Sequence, residues 1–353
     1  MGIQMYGFKD LAEWDQVVKS FDNYDVYYLS SYLKAFKVNG DGEPILFFYQ
    51  DNKIKAMNVV MKRDIATDEN FTNKIPMNTL FDTMTPYGYG GFLIEGEVCD
   101  ESLGSLKYEY DLLCKNEGIV SEFARFHPVL NNVCHLNGMY DILHLGRTVT
   151  INLISQEYIW NNLTSKNRNV IRKAEKSGVK VYCGRDPKLF NEFIPLYNKT
   201  MDKDEARDYY YFKKEFYGSV LTDLKYNSLV FYAMYDGKVI AMAIIMFAKG
   251  KMHYHLSATD VQYQSLAPNN LLLYEAACWG CEHGYNLFHL GGGLDSQEDS
   301  LYKFKAAFNK NPNTRFSIGR KIIDQSKYDE LLNIRKEESE LEFNNSFFPE
   351  YRI

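Results

Sequence analysis

The order of helix and strand signals runs through this chain twice, and that repetition limits the fold more than any other feature. In the first half, apolar spacing predicts helices over Leu11 to Phe21 and Ser30 to Val38. Strand-like runs follow at Pro44 to Tyr49 and Ile54 to Met61, joined through the turn-forming pair Asp51-Asn52. A polar stretch over 64–82 leads to a helix from Glu101 to Asn116, closed by Gly118, and then to a strand from Ile119 to Arg125. The second half opens with a strand at Val149 to Leu153 and one or two helices over Ser155 to Lys176 that end at Gly178. A strand at Val179 to Cys183 and a largely helical region over 186–224 come next. Leu229 to Tyr235 and Val239 to Ala248 read as a hairpin across Asp236-Gly237, a strong turn signal, with Lys251 to Ala258 as a third strand. A helix from Pro268 to Gly284 then leads to a strand at Leu287 to Leu290, which empties into glycines.

Each half thus predicts helix, antiparallel strands, helix, strand. The steady strand-helix alternation of a doubly wound parallel fold is missing, so the expected class is α/β of the α+β kind: two tandem lobes, each a mixed, mostly antiparallel sheet flanked by helices. No low-complexity linker separates the halves, and the expected lobes are 1–147 and 148–353, with the chemistry in the second. A charged helix over Asp324 to Glu342 and a tail over Phe343 to Ile353 close the chain; Phe347, Phe348 and Tyr351 are expected to dock the tail on a lobe.

Several function classes are disfavoured by composition. A formal net charge of −6 argues against coating duplex DNA through bulk charge. The start MGIQMYGFKD has no basic stretch followed by an apolar run, and the apolar stretch from Val239 to Ala248 falls short of the roughly 20 residues that cross a bilayer. A cytoplasmic protein without a transmembrane segment is expected. The 6 cysteines lack the density of a disulfide framework. Cys278, Cys281 and His283 resemble half a zinc site, but no second pair matches, so no metal is expected.

The segments able to carry chemistry lie mostly in the second half. Three glycines, Gly291, Gly292 and Gly293, follow a strand and expose backbone N–H groups to an anion or a developing oxyanion. The segment Leu301-Tyr-Lys-Phe-Lys305 comes shortly after. On the helix over Lys166 to Lys176, Arg168, Arg172 and Lys176 form one positive stripe that suits phosphates, or that merely complements the helix dipole. His253 and His255 alternate around Tyr254, so both are expected on one sheet face, where a histidine serves as a base or as a buried structural residue. In the first half, Tyr87-Gly-Tyr-Gly-Gly91 gives a backbone able to pass close to a ligand, or to make a tight turn.

Taken together, these segments resemble the Fem-type peptidyltransferases and the wider GNAT-like group, across most of the chain. The resemblance rests on Tyr87 to Gly91, Ser121-Glu-Phe-Ala-Arg-Phe-His-Pro128, the helix from Ser165 to Gly178, Ala267-Pro-Asn-Asn-Leu-Leu-Leu-Tyr-Glu-Ala276, His289 to Gly293, and Ser300 to Lys305. It implies two GNAT-like lobes and transfer of an acyl or aminoacyl group to an amine, on a peptidoglycan or polysaccharide precursor. The donor it implies is aminoacyl-tRNA or acyl-CoA, with no tightly bound cofactor and with tRNA as a partner in the first case. In the Fem pattern the lysine after Leu-Tyr-x-Phe steadies negative charge at the transfer centre, which makes Lys305 the candidate catalytic residue; His255, or a water, is the candidate base for the acceptor amine. Tyr302, Phe304, Arg207, Tyr87 and Tyr89 become candidate substrate contacts, and Gly291, Gly292, Gly293, Asn269, Arg168 and Arg172 candidate donor or anion contacts. Two departures stand out. Gln264-Ser-Leu-Ala-Pro-Asn-Asn270 lacks the glycines of the GNAT pyrophosphate loop, and no long heptad-patterned hairpin is present. The alternative is a binding module for an anionic ligand on a degenerate tandem scaffold, without catalysis.

Overall fold

The structure, a computed structural model, describes residues 2–337 and 347–353. The chain divides into two compact units, Met1–Leu145 with Phe316–Ile353, and Gly146–Arg315. Residues 316–337 and 347–353 therefore pack with unit 1, whereas a cut near 147 gives them to the second lobe. The reason is a strand over Thr314–Ile322 that the sequence pattern does not announce, which carries the expected charged helix back to unit 1.

Unit 1 begins with β1 (Gly2–Tyr6), α1 (Leu11–Ser20) and α2 (Ser30–Asn39), followed by the hairpin β2 (Glu43–Gln50) and β3 (Ile54–Asp64). It continues through β4 (Phe81–Met84), β5 (Leu93–Gly96), α3 (Asp100–Asn116) and β6 (Ile119–Arg125) into β7 (Asp141–Asn152), which carries the chain onward. Unit 2 holds α4 (Gln156–Asn162), α5 (Ser165–Lys176), β8 (Lys180–Gly184), α6 (Pro187–Lys203) and α7 (Lys214–Thr222). It also holds β9 (Ser228–Tyr235), β10 (Lys238–Ala248), β11 (Lys251–Thr259), α8 (Pro268–Glu282), β12 (Leu287–Gly291) and α9 (Ser300–Ala306). The strand β13 (Thr314–Ile322) returns the chain to unit 1, where α10 (Gln325–Lys336) follows.

In unit 1 the strand order is β1-β2-β3-β4-β6-β13, with β5 on β3; in unit 2 it is β7-β12-β11-β10-β9-β8. One neighbouring pair in each unit is parallel, β4 with β6 and β11 with β12, and in each case a helix, α3 or α8, joins the two strands. The other registered pairs are antiparallel. This arrangement matches the repeated order of elements: parallel neighbours need a crossover, and both halves supply it with a helix.

The core of unit 2 lies where α8 meets the sheet. Leu271, Leu272, Leu273, Ala276 and Ala277 of α8 share one buried cluster with Phe231, Ala243, Ile245, Phe247, Met252 and Phe288. Strand β10 is buried on both faces, since Met242, Ile244 and Met246 are also inaccessible, which explains its continuous apolar run. Lys251 to Ala258 carries a β-bulge at His255: Leu256 faces Ile244 and Tyr254 faces Ile245, which leaves His255 as the inserted residue. Strict alternation of His253 and His255 therefore breaks at that point.

In unit 1 the chain's last residues are part of the core. Tyr351 is fully buried in a cluster with Ile65, Phe71, Val120, Tyr328 and Leu331, and Phe348 stacks on Tyr328 with ring centres 6.0 Å apart. The Tyr351 hydroxyl lies 2.8 Å from Ser121 Oγ and donates to Asp82 at 3.1 Å. Asp82, itself buried, also pairs with Arg63 at 2.8 Å and with Arg352. The expected docking of the tail thus falls on unit 1, through Phe348 and Tyr351, while Phe347 is exposed. Part of the charged helix and of this tail, residues 338–346, lies outside the described residues.

Candidate functional site

The short helix α9 and the glycine loop before it form one hydrogen-bonded element. Asp299 is the N-cap of α9: its Oδ1 accepts the Tyr302 N–H at 2.8 Å, satisfying one of the orphan donors at a helix start. Its Oδ2 accepts the Leu294 N–H at 3.3 Å, which fastens the loop to the helix. Gly293 lies so close that a Cβ there would sit 2.1 Å from Gln297 O and 2.3 Å from Asp299 Oδ1, so the fastening needs glycine at this position. At Gly291 the need is conformational, with φ at 79°.

Lys305 is directed back into this loop. Its Nζ donates to Gly292 O at 2.6 Å, and the residue is only 8% exposed. Burial pulls the ammonium down from the ordinary 10.5 to about 8, and the Asp299 carboxylate acts against that pull. The lysine and the triple glycine, which the sequence places within one segment, are therefore in contact. A charged amine held by one carbonyl in a mostly water-free setting keeps hydrogen-bonding capacity for a second oxygen.

The other expected site residues are distributed as follows. Tyr302 is buried in the unit 2 core, and Phe304 packs at its margin, edge-on to Phe308 at 5.8 Å. Asn269 and Asn270 begin α8, where Asn269 Nδ2 donates to Thr259 Oγ1 at 2.5 Å and Asn270 Nδ2 to Asn167 Oδ1 at 2.8 Å. The residue that opens this helix, Ala267, takes the left-handed conformation at φ 52°, which glycine adopts without steric cost. Arg168 turns its guanidinium to the end of α4, donating to Leu163 O at 2.7 Å, and Arg172 lies over the Trp160 ring at 4.9 Å. Arg168 lies in the first turn of α5, so its contact is with an end carbonyl of α4, which lacks a partner within that helix, and not with the dipole of its own helix. Arg207 is exposed on a turn between α6 and α7.

Burial also drives the His255 ring down to about 3, helped by His253, so His255 stays neutral at physiological pH. A group that resists protonation this strongly makes a weak general base, since efficient proton transfer wants a pKa near the working pH. Tyr87 and Tyr89 belong to unit 1. Tyr87 stacks on Phe36 at 5.6 Å and accepts the Tyr32 hydroxyl on its carbonyl. Tyr89 packs edge-on against Tyr27 and Phe316, its phenol pushed up to about 12 by burial. A Cβ on Gly88 would meet Tyr27 Cε1 at 2.4 Å, so this glycine is also required by close packing. The half zinc pattern sits at the end of α8: Cys278 is buried, and the His283 Nδ1 is 2.7 Å from Trp279 O of its own turn.

Two features escaped the sequence reading. Asn167, almost fully buried, ties three helices: it bonds Asn270 at the start of α8, Ala307 O at the end of α9 at 3.2 Å, and is capped from Thr164 at 3.3 Å. A Thr three residues before Asn is a legible N-cap, but its partners 103 and 140 residues away are not. The second is a buried pair in unit 1, His127 with Asp25, at 3.1 Å between Nε2 and Oδ2. Since His127 Nδ1 accepts the Leu130 N–H at 3.2 Å, the proton sits on Nε2, the nitrogen beside Asp25. Asp25 Oδ1 in turn accepts the Val26 N–H at 2.6 Å, so the pair locks the turn after β6 to the segment before α2.

Residues 163–305 match the family model of an acetyltransferase (GNAT) domain, a span that lies within unit 2 and ends on Lys305. No curated protein matches the chain. Among solved structures, FemX is similar at a TM-score of 0.66 and 16% identity, with 94% of this chain and 99% of that one covered. The C-terminal domain (DUF2156) of a putative lysylphosphatidylglycerol synthetase from Agrobacterium fabrum is similar at 0.56 and 14% identity, covering 93% and 96%. A conserved protein of unknown function from Bacteroides thetaiotaomicron VPI-5482 follows at 0.56 and 13%, covering 88% and 97%. Part of unit 2 is therefore similar to a GNAT acetyltransferase domain, and the chain shares the fold of FemX over nearly its whole length.

Proposed function

We propose that this protein is an N-acyltransferase in which unit 2 passes an acyl or aminoacyl group from an activated donor to an amine. The donor classes are aminoacyl-tRNA and acyl-CoA, and the acceptor is an amine on a peptidoglycan or polysaccharide precursor. What carries the reading is the Lys305 ammonium, buried beside the triple glycine and bonded to Gly292 O, at the end of the GNAT-matched segment.

In the proposed reaction the acceptor nitrogen attacks the carbonyl carbon of the donor ester or thioester. The carbonyl electron pair moves onto oxygen, and the Lys305 ammonium donates a hydrogen bond to that oxyanion. Collapse of the intermediate breaks the carbonyl–oxygen or carbonyl–sulfur bond to the donor, and the proton lost by the amine passes through water to the departing alkoxide or thiolate. A buried donor of this kind lowers the barrier by about 3–4 kcal/mol. The work assigned to the protein is electrostatic and positional, and it is strongest where water is scarce.

The test is a mass-shift assay on the purified protein, supplied with amine-bearing precursors and either acyl-CoA or aminoacyl-tRNA. Lys305→Ala should form product at least about 100-fold more slowly than the native protein. Equal rates would remove Lys305 from the chemistry. Retention of donor without product, in the native protein, would support the anion-binding alternative instead.

A further inference from the structure

Asp299 occupies an unusual place: one carboxylate touches both parts of the element that presents Lys305. Its two oxygens are divided between the first turn of α9 and the glycine loop. The loop it fastens is the one whose Gly292 carbonyl holds the Lys305 amine. Gly293 leaves room for this carboxylate and for no side chain. An N-cap alone needs one oxygen, and serine or asparagine would serve it as well. The second oxygen and the negative charge remain to be explained.

We propose that Asp299 is a positioning residue for Lys305: it holds the glycine loop against α9 and supplies the negative charge that keeps the buried amine protonated. This rests on the reading of Lys305 as the oxyanion donor, but concerns a different property, the charge of that donor. Desolvation favours the neutral amine, and a neutral amine is a much weaker hydrogen-bond donor than an ammonium. Asp299 is the charged group that opposes this desolvation. The other charged groups about α9 act elsewhere: Glu298 and Arg147 bear on the Tyr302 hydroxyl. The backbone beside the amine is uncharged, with Gly292 packed close to Arg147 O on β7. Removing the Asp299 charge while keeping the cap also frees the Leu294 N–H, a loss that does not vary with pH, so the pH-dependent part of the effect reports on Lys305.

The experiment follows the Lys305 side chain directly, by NMR titration of protein labelled with 13Cε-lysine, with the resonance assigned through Lys305→Arg. In Asp299→Asn and Asp299→Ser, both of which preserve an N-cap oxygen, Lys305 should titrate at lower pH than in the native protein, by roughly half a pH unit or more. Acyl transfer by the same variants should fall further behind the native rate near pH 8 than near pH 6, by about two-fold or more, because the loosened loop costs the same at both values while the charge of the donor differs only at the higher one. An unchanged Lys305 titration in both variants, or a rate deficit that is equal at the two pH values, would overturn the inference and leave Asp299 as a helix cap. These outcomes are separable from the reading itself: a fully active Lys305→Ala protein sinks the proposed chemistry whatever Asp299 does to the amine.

Discussion

Replacing Lys305 with methionine should remove a pH dependence of stability that the native protein carries. Burial lowers the folded-state pKa of this amine to about 8 from the ordinary 10.5, which the unfolded chain retains. Between those values the unfolded chain binds a proton that the folded chain has released, so stability from this group rises with pH across the window. Below about pH 8 the folded protein must hold the ammonium, and the full penalty is present. At about 1.36 kcal/mol per pH unit, that penalty is about 3 kcal/mol at pH 7 and about 1 kcal/mol at pH 10. Solvent screening takes little from it, because the residue is 8% exposed. Methionine keeps the aliphatic stem and titrates nothing, while the lost hydrogen bond to Gly292 O is a pH-independent term. Urea unfolding followed by fluorescence suits the measurement, since Trp160 and Trp279 both lie in unit 2. The native-minus-variant free energy should change in favour of the native protein by about 2 kcal/mol from pH 7 to pH 10. A difference that stays constant over that interval would refute the claim that this amine is desolvated.

Gly293→Ala should destabilise the protein by about 1–3 kcal/mol in the same urea assay, since the new methyl meets a backbone carbonyl and the capping carboxylate that cannot both retreat. Gly104→Ala, in α3 with open space around it, is the control and should stabilise by about 0.5–1 kcal/mol; a similar loss at both positions would undo the steric argument. Arg352→Ala leaves the buried Asp82 with Arg63 and the Tyr351 hydroxyl and should lower stability by about 2–3 kcal/mol. Hydrogen exchange should quicken in α10 and β4 while β10 keeps its protection, and unchanged exchange in α10 would show that the tail contributes nothing to unit 1.

Much of the fold was legible because most elements follow local rules. The helix over Glu101 to Asn116, the hairpin across Asp236-Gly237 and the strand Ile119 to Arg125 each carry their own periodicity and stop signal, and each forms where expected. The strand β13 did not announce itself. Arg320 and Lys321 break its apolar pattern, and Lys321 is buried only because its ammonium lies against Asp111 and over the rings of Tyr110 and Tyr140. Such a partner set is assembled from distant segments, so no local window contains it. The first half of β7 is mostly accessible and β5 is four residues long, too little pattern for a strand signal. The same division holds at the candidate site. A glycine loop and a nearby lysine could be read as a pair, but the bond from Lys305 to Gly292 depends on how α9 leaves the loop. The low basicity of His255 depends on burial at a bulge that alternation cannot reveal.

The return of β13 and the closing residues to unit 1 gives the two units different histories on the ribosome. Unit 2 is a single stretch of chain and has every residue it requires once Arg315 is free of the exit tunnel. Unit 1, although translated first, waits for the buried Tyr351 and for Arg352 to reach Asp82 before its cluster is complete. Nascent chains arrested on an unrelated linker that follows residue 315 and spans the exit tunnel should thus hold a protease-resistant 146–315 segment beside a first segment that is still cleavable, reversing the usual order in which the earlier-made domain is the first to close.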